Sequence, residues 1–277
     1  MDNIYKLSNK DNFIIEEILF NTNKPILVSA QEGFGVFDAI QTTIKNKSKD
    51  VEFIQPVLKN TIDFINGTIG VDEIRSIQIS SSHKSSTLKI ICISKAESMT
   101  KSAQNAFLKL LEEPNPSIKF ILCSERPDSL LKTISSRVQR FNLSNISKSQ
   151  SRDLIKSYGT IDEAKLTQIL FLATGLPNKI KKLCIDEEYF VYVSSSVRNA
   201  MSLLSKTEYE KISIINGYKD NRSSAIELID NLLIIIRNNI FTKKDNKIVF
   251  KIEPLINAKD RINSGGNVRL NLLTAVL

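Results

Sequence analysis

Residues 90–124 read IICISKAESMTKSAQNAFLKLLEEPNPSIKFILCS, and residues 126–141 continue RPDSLLKTISSRVQRF. Ala103, Ala106, Phe107, Leu110 and Leu111 recur at helical period and form one apolar stripe. Thr100 supplies an N-cap oxygen, and Pro114 and Pro116 stop the helix. On either side, Ile90–Ile93 and Ile118–Cys123 are short, nearly continuous apolar runs, as in parallel strands covered by helices on both faces. Strand, helix, strand in this rhythm predicts a right-handed crossover unit.

Working outward, Pro25–Ala30 and Val51–Gln55 predict further buried strands, and Val36–Ile44 and Val71–Ser80 predict helices. The α/β domain should close near Leu143. Beyond it, Ser147 with Gln150, Thr160 with Glu163, Thr207 with Glu210 and Ser224 with Glu227 repeat a capping-box signature. Only Lys247–Ile252 reads as a short strand there. The expected organisation is an α/β domain over 1–145, a small helical domain over 146–185 and a helical bundle over 186–277. In the long helix over Ala225–Phe241, Ile229, Leu232, Leu233, Ile236 and Ile240 make the core face, while Leu228, Ile234 and Ile235 widen the apolar arc. Either burial within the bundle or a subunit interface covers that arc. The serines at 80, 81, 82, 85 and 86 around His83 predict a solvated loop.

Of the 277 residues, 42% are hydrophobic, as in a globular protein. The densest apolar run, Leu232–Ile236, ends at Arg237, far short of the ~18 residues a membrane span needs. The start, MDNIYKLSNKDN, lacks a basic region followed by an apolar one, so a cytoplasmic protein is expected. The three cysteines, Cys92, Cys123 and Cys184, form no C-x-x-C pair, and with one histidine they offer no four-ligand zinc set, so no metal is expected. The net charge of +8 is uneven: residues 1–145 carry 18 basic and 16 acidic side chains, and 146–277 carry 20 and 14. A basic surface for nucleic acid or an acidic partner fits this, and so does a compositional bias toward lysine. Lys179, Lys181 and Lys182 are the one local cluster, without the aromatic interleaving that base stacking needs.

A phosphate-binding loop needs G-x-x-x-x-G-K-S/T between a strand and a helix. Backbone amides cradle the phosphates, the lysine neutralises them and the hydroxyl holds magnesium. ILVSAQEGFGVFDAI stands in that place. Gly33 and Gly35 keep the backbone permissive, but Ala30 replaces the first glycine, Val36 the lysine and Phe37 the hydroxyl. The end of the next long strand agrees: Ser94 and Lys95 occupy the positions where acidic residues would hold magnesium, and Glu97 alone remains in the turn. Two independent losses in one site argue for a chain that does not turn over ATP. The competing reading is that Gly33 and Gly35 are merely a turn.

The segments AESM, AQNAFLKLLEEP and TISSRVQ resemble the A-x-x-M turn, the A-x-N-A-L-L-K-x-L-E-E-P helix and the S-R-C motif of the AAA+ clamp-loader family of bacterial DNA polymerase III. The resemblance is strong over about residues 70–141, faint before that, and carried beyond 145 by segment order alone. It implies a RecA-like α/β domain with a degenerate P-loop, then an all-α lid and an all-α collar that carries the oligomer. By the same resemblance, Arg137, preceded by Ser136, is an arginine finger projecting into a neighbour's ATP site. Val138 replaces the family's cysteine as the chain enters a strand. Arg137 could instead cap a turn or pair with Glu125 or Asp128, and Arg140 is a substitute. The family's lid turn G-x-P-x-R becomes Gly175, Leu176, Pro177, Asn178, Lys179. Many relatives insert a four-cysteine zinc module after the second strand, whereas residues 46–88 contain no cysteine. The implied partners are gamma or tau motor subunits and the delta subunit, and through them the sliding clamp and primed DNA. The implied cofactors, ATP and magnesium, sit in the neighbours and not in this chain. A stand-alone ATPase and a DNA-binding adaptor are the competing readings.

Overall fold

The computed structural model describes residues 24–45, 50–64, 67–80, 88–243 and 250–277. The start of the chain, His83 with the loop around it, and Lys247–Val249 lie outside those residues. The chain divides into two compact units, residues 1–181 and 182–277.

In the first unit the strands in chain order are β1 (Ile26–Ser29), β2 (Val51–Ile54), the short antiparallel pair β3 (Val57–Leu58) and β4 (Thr61–Ile62), β5 (Lys89–Ile93), β6 (Ile118–Ser124) and β7 (Gln139–Asn142). Five of them make one parallel sheet in the order β2-β5-β6-β1-β7. The interleaved helices are α1 (Val36–Lys45), α2 (Val71–Ser80), α3 (Lys101–Glu112) and the single turn α4 (Lys132–Ser135). Side chains alternate across a strand, so neighbours in sequence enter different cores. Leu27, Ile91 and Leu122 pack with Ile74 and Phe107 from α2 and α3, whereas Ile26, Val28, Cys92 and Cys123 pack with Ile40 and Ile44 from α1. This double burial is why the strands read as unbroken apolar runs rather than alternating ones.

Helix α3 follows its sequence pattern. The Thr100 hydroxyl accepts from the Ala103 amide at 3.1 Å. Ala103, Phe107 and Leu111 are buried and Ala106 and Leu110 partly so, and the Phe107 ring meets Phe120 of β6 edge-on at 5.2 Å.

Three short helices or their starts complete this unit: α5 (Lys148–Ser157), α6 (Glu163–Ala173) and α7, which begins at Pro177 and runs to Ile185. Ser147 and Gln150 form the expected reciprocal cap of α5, at 3.1 and 2.8 Å. For α6 the expectation of Thr160 is corrected: the Asp162 carboxylate accepts from the Lys165 amide at 2.8 Å and caps the helix. An anion at a helix N-terminus gains from the dipole as well as the hydrogen bond.

The second unit is a bundle of α8 (Glu187–Ser205), α9 (Glu208–Asn216), α10 (Arg222–Lys243), α11 (Ile252–Asn263) and α12 (Val268–Val276). Thr207 and Glu210 form the capping pair read from the sequence. Ser224 is not the cap of α10: Asn221 accepts from the Ser224 amide at 2.9 Å and starts the helix three residues earlier. Leu228 and Ile235, which seemed to widen the arc, are buried in the same core as Ile229, Leu232 and Ile236. The bundle itself covers most of that arc. Phe250 and Lys251 form a helical turn leading into α11, so the described part of Lys247–Ile252 is not a strand. Among the described residues no helix is long and apolar enough to cross a membrane.

Phe107→Ala should cost about 3–5 kcal/mol, because it would open a cavity where the fully buried ring meets Phe120 between α3 and β6. Urea unfolding measures this; a loss under about 1 kcal/mol would contradict the packing described.

Candidate functional site

Strands β1 and β6 are neighbours, with Ser29 beside Ser124 at their C-terminal ends. The chain leaves β1 toward one side of the sheet order and β6 toward the other, and such a switch point leaves a crevice where α/β proteins bind ligands. The loop Ala30–Gly35 and residue Glu125 both start from this edge. Gly33 and Gly35 have φ of 88° and 83°, left-handed values that a side chain disfavours. In this geometry their amides converge, and the Gly33 N–H donates to Glu125 Oε2 at 3.2 Å while the Gly35 N–H donates to Oε1 at 2.9 Å. A carboxylate of the chain's own therefore stands where a phosphate would accept. The loop is thus more than a turn.

The electrostatics follow from this contact. Burial raises the Glu125 carboxyl above its ordinary range, a shift that the Gly35 and Gly33 amides and the Lys95 charge only partly offset. Lys95 itself has φ 44°, rare for a residue with a Cβ, and its ammonium donates to the Phe64 carbonyl at 2.6 Å. At the positions of the lost acids Ser94 is fully buried, and the Glu97 carboxylate accepts from the Glu125 amide at 3.3 Å. The positions that would serve phosphate and magnesium are also filled. Val36 is buried, and Phe37 packs edge-on against Phe53 at 5.6 Å and tilted against Phe64 at 6.1 Å.

The start of α7 closes the loop from the other side. The first amides of a helix lack partners within it, and here the Lys179 N–H donates to the Gly33 carbonyl at 2.9 Å and the Asn178 N–H to the Phe34 carbonyl at 3.3 Å. A Cβ on Gly33 would come within 3.3 Å of the Lys179 Cβ. Asn145 adds a side-chain bond to Gln31 at 2.7 Å. Lys179, at the turn position that resembles a phosphate sensor, thus touches the loop through its backbone.

Arg137 lies away from this crevice, on the surface after α4. Its guanidinium pairs with Glu112 at the end of α3 at 3.0 Å and donates to the Thr133 carbonyl at 3.1 Å. The partners Glu125 and Asp128 considered from the sequence are not the ones it uses. Ser136 is exposed, its hydroxyl donating to the same Thr133 carbonyl at 3.0 Å, and Arg140 is exposed on the edge strand β7. Val138 is buried in the α2/α3 core, as a small apolar replacement should be. The sequence reading missed Gln104. Buried in α3, its amide nitrogen donates to the Met99 carbonyl at 3.1 Å and its oxygen accepts from the Leu131 amide at 2.9 Å. It ties the turn after β5 to the start of α4. A polar residue inside an apolar stripe was the available signal. Cys92 and Cys123 are buried thiols with their sulfurs 3.8 Å apart; burial raises the Cys123 thiol well above its ordinary range and keeps it protonated and inert.

Sheet order and switch-point loop give the first unit a fold of the AAA+ type. Its sequence relatives are more specific. The family model described as DNA polymerase III, delta subunit, matches residues 12–147. DNA polymerase III subunit delta' of Haemophilus influenzae is 35% identical over 116 residues, 41% of this chain and 36% of that one. The subunit delta' of Bacillus subtilis is 48% identical over 58 residues, 21% and 16% of the two chains. Subunit gamma of Buchnera aphidicola is 28% identical over 186 residues, 64% and 45%. The chain thus spans less than half the length of each of these relatives. Over residues 12–147 the chain is thus similar to the delta-prime and clamp-loader subunits of DNA polymerase III. Among solved structures, a DNA polymerase III gamma subunit-related protein from Thermotoga maritima aligns with TM-score 0.53 at 24% identity over 96% of both chains. The Thermotoga maritima RuvB Holliday junction branch migration motor aligns with TM-score 0.51 at 11% identity, over 95% of this chain and 83% of that one. At these identities the likeness is one of fold.

Phe37→Ser, which returns a hydroxyl to the magnesium position, should destabilise the chain by about 1–3 kcal/mol through lost aromatic packing and should not bring magnesium-dependent ATP binding. Urea unfolding together with titration of a fluorescent ATP analogue checks both halves. Tight binding by this variant would show that one side chain, and not the filled cradle, keeps nucleotide out.

Proposed function

We propose that this chain is a non-hydrolysing, delta-prime-like subunit of the DNA polymerase III clamp loader, lending Arg137 to the ATP site of a neighbouring motor subunit. The observation that carries the reading is the Glu125 carboxylate in the phosphate cradle, with no lysine and no hydroxyl beside it. A chain that fills its own cradle has no use for a finger within its own site. The retained arginine then makes sense as a group that acts in trans.

The surface setting of Arg137 supports this. Its pair with Glu112 is partly solvent-exposed, and such pairs contribute only about 0–1 kcal/mol, so exchange of Glu112 for a phosphate costs little. The planar guanidinium fork suits phosphate oxygens, and a finger acts on charge that develops in the transition state. In this reading residues 146–185 form the lid and 186–277 the oligomerising collar. Gamma or tau and the delta subunit are the partners. The assembled cytoplasmic machine places the sliding clamp on primed DNA as part of the polymerase holoenzyme, with ATP and magnesium held by the motor subunits.

Arg137→Ala should leave the complex assembled but lower its ATP hydrolysis. Such fingers are worth roughly 10³–10⁵ in rate at one site. With several sites and one finger lost, total turnover should fall partially and clamp loading further. Arg137→Lys should restore little. Steady-state hydrolysis and clamp-loading rates of the reconstituted complexes decide it, and unchanged rates in an intact Ala complex would return Arg137 to a purely structural pair with Glu112.

A further inference from the structure

We propose that Glu125 is a built-in anion that replaces bound phosphate and locks the 30–35 loop to helix α7 in a permanently closed, ligand-independent arrangement. Three observations meet at this contact. The two amides that converge on the carboxylate belong to the two left-handed glycines of the loop, and they reach both oxygens, at 3.2 and 2.9 Å. The carbonyl of the same Gly33 accepts from the Lys179 amide of α7 at 2.9 Å. One peptide segment is therefore held on its N–H side by Glu125 and on its carbonyl side by α7. Lastly, Lys95 stands where the family carries an acid, and its charge favours the ionised form of Glu125. In an ATPase the anion is the nucleotide's phosphate and the cation is magnesium held by acids. Here both signs are covalent parts of the chain, and the acid at the cation's position has become a base.

The consequence is conformational. In a phosphate-dependent loop, ordering waits for ligand, and lid position changes with it. Here the ordering anion is always present at high effective concentration, because β1 and β6 are adjacent strands that deliver loop and carboxylate from the same sheet edge. Loop and α7 then stay together whether or not nucleotide is present. The proposal deepens the non-hydrolysing reading and rests on it, and the two fail separately. Arg137 is tested only in the complex, whereas this lock is tested on the full chain alone.

The test replaces the tethered anion with a free one. Thermal unfolding of the full-length wild type, Glu125→Ala and Glu125→Gln is followed with inorganic phosphate and with chloride at matched ionic strength. In Glu125→Ala the cradle is vacated, so tens of millimolar phosphate should raise the Tm of that variant by about 3–6 °C over chloride, as a millimolar site would, and leave the wild type unmoved. Hydrogen exchange at the Gly33 and Gly35 amides gives the second measurement: slow in the wild type, faster in both variants, and slowed again by phosphate in Glu125→Ala. The proposal is overturned if phosphate shifts wild type and Glu125→Ala equally, if it shifts neither of them, or if the wild-type glycine amides exchange as fast as those of an open loop. Glu125→Gln keeps the side-chain volume but turns one acceptor into a donor, so it covers the case in which the Ala variant does not fold: one of the two glycine amides should exchange faster than in the wild type, and unchanged exchange at both would overturn the proposal.

Discussion

The two hydrogen bonds from the Gly33 and Gly35 amides to the Glu125 carboxylate are the contact on which the arrangement of the crevice depends. A strand-to-helix loop with two left-handed glycines turns several N–H groups inward, and buried amides without an acceptor are costly. Nucleotide phosphate answers that demand in most proteins built this way. In this chain the acceptor comes from the end of β6, and the rest of the site adjusts to it. Lys95 supplies the opposite charge, Val36 and Phe37 are free to become packing residues, and α7 settles its first amides on the loop carbonyls. Each replacement that looks like a loss when taken singly fits a cradle filled by the chain's own carboxylate.

The same sheet carries the arginine proposed as a finger on a separate path. Helix α3 crosses from β5 to β6, and near its start the buried Gln104 fixes both the turn at Met99 and the beginning of α4. At its far end Glu112 holds the Arg137 guanidinium. The arginine is thus presented by rigid elements while its own side chain stays on the surface in a weak ion pair. That combination suits a group that has to reach across an interface without reorganising its base.

Much of the first unit was legible in the sequence, because strands buried on both faces leave unbroken apolar runs and α3 carries a clean 3.6-residue stripe between Thr100 and two prolines. The failures have physical causes. Thr160 and Ser224 fit a capping pattern, but Asp162 and Asn221 stand closer to the first turn and accept its amides instead. For the greasy arc of α10 the sequence left burial and an interface both open, because periodicity counts apolar faces and not neighbours; the packing of the bundle buries Leu228 and Ile235. Within the site, the missing lysine and hydroxyl could be read directly from Val36 and Phe37. Glu125 could not be assigned its role, because the contact joins residues about ninety apart that only the order of strands in the sheet brings together. It entered the sequence reading only as a candidate partner for Arg137, a pairing that charge alone suggested and geometry did not make.

The central claim is that the chain's own Glu125 carboxylate occupies the phosphate cradle without a ligand. Isothermal titration of ATP into the isolated full-length chain, with and without magnesium, tests it most directly. The account predicts no saturable binding up to millimolar nucleotide in either condition. Magnesium-dependent binding in the micromolar range would contradict it, since both the cradle amides and the cation position would then have to be available to ligand.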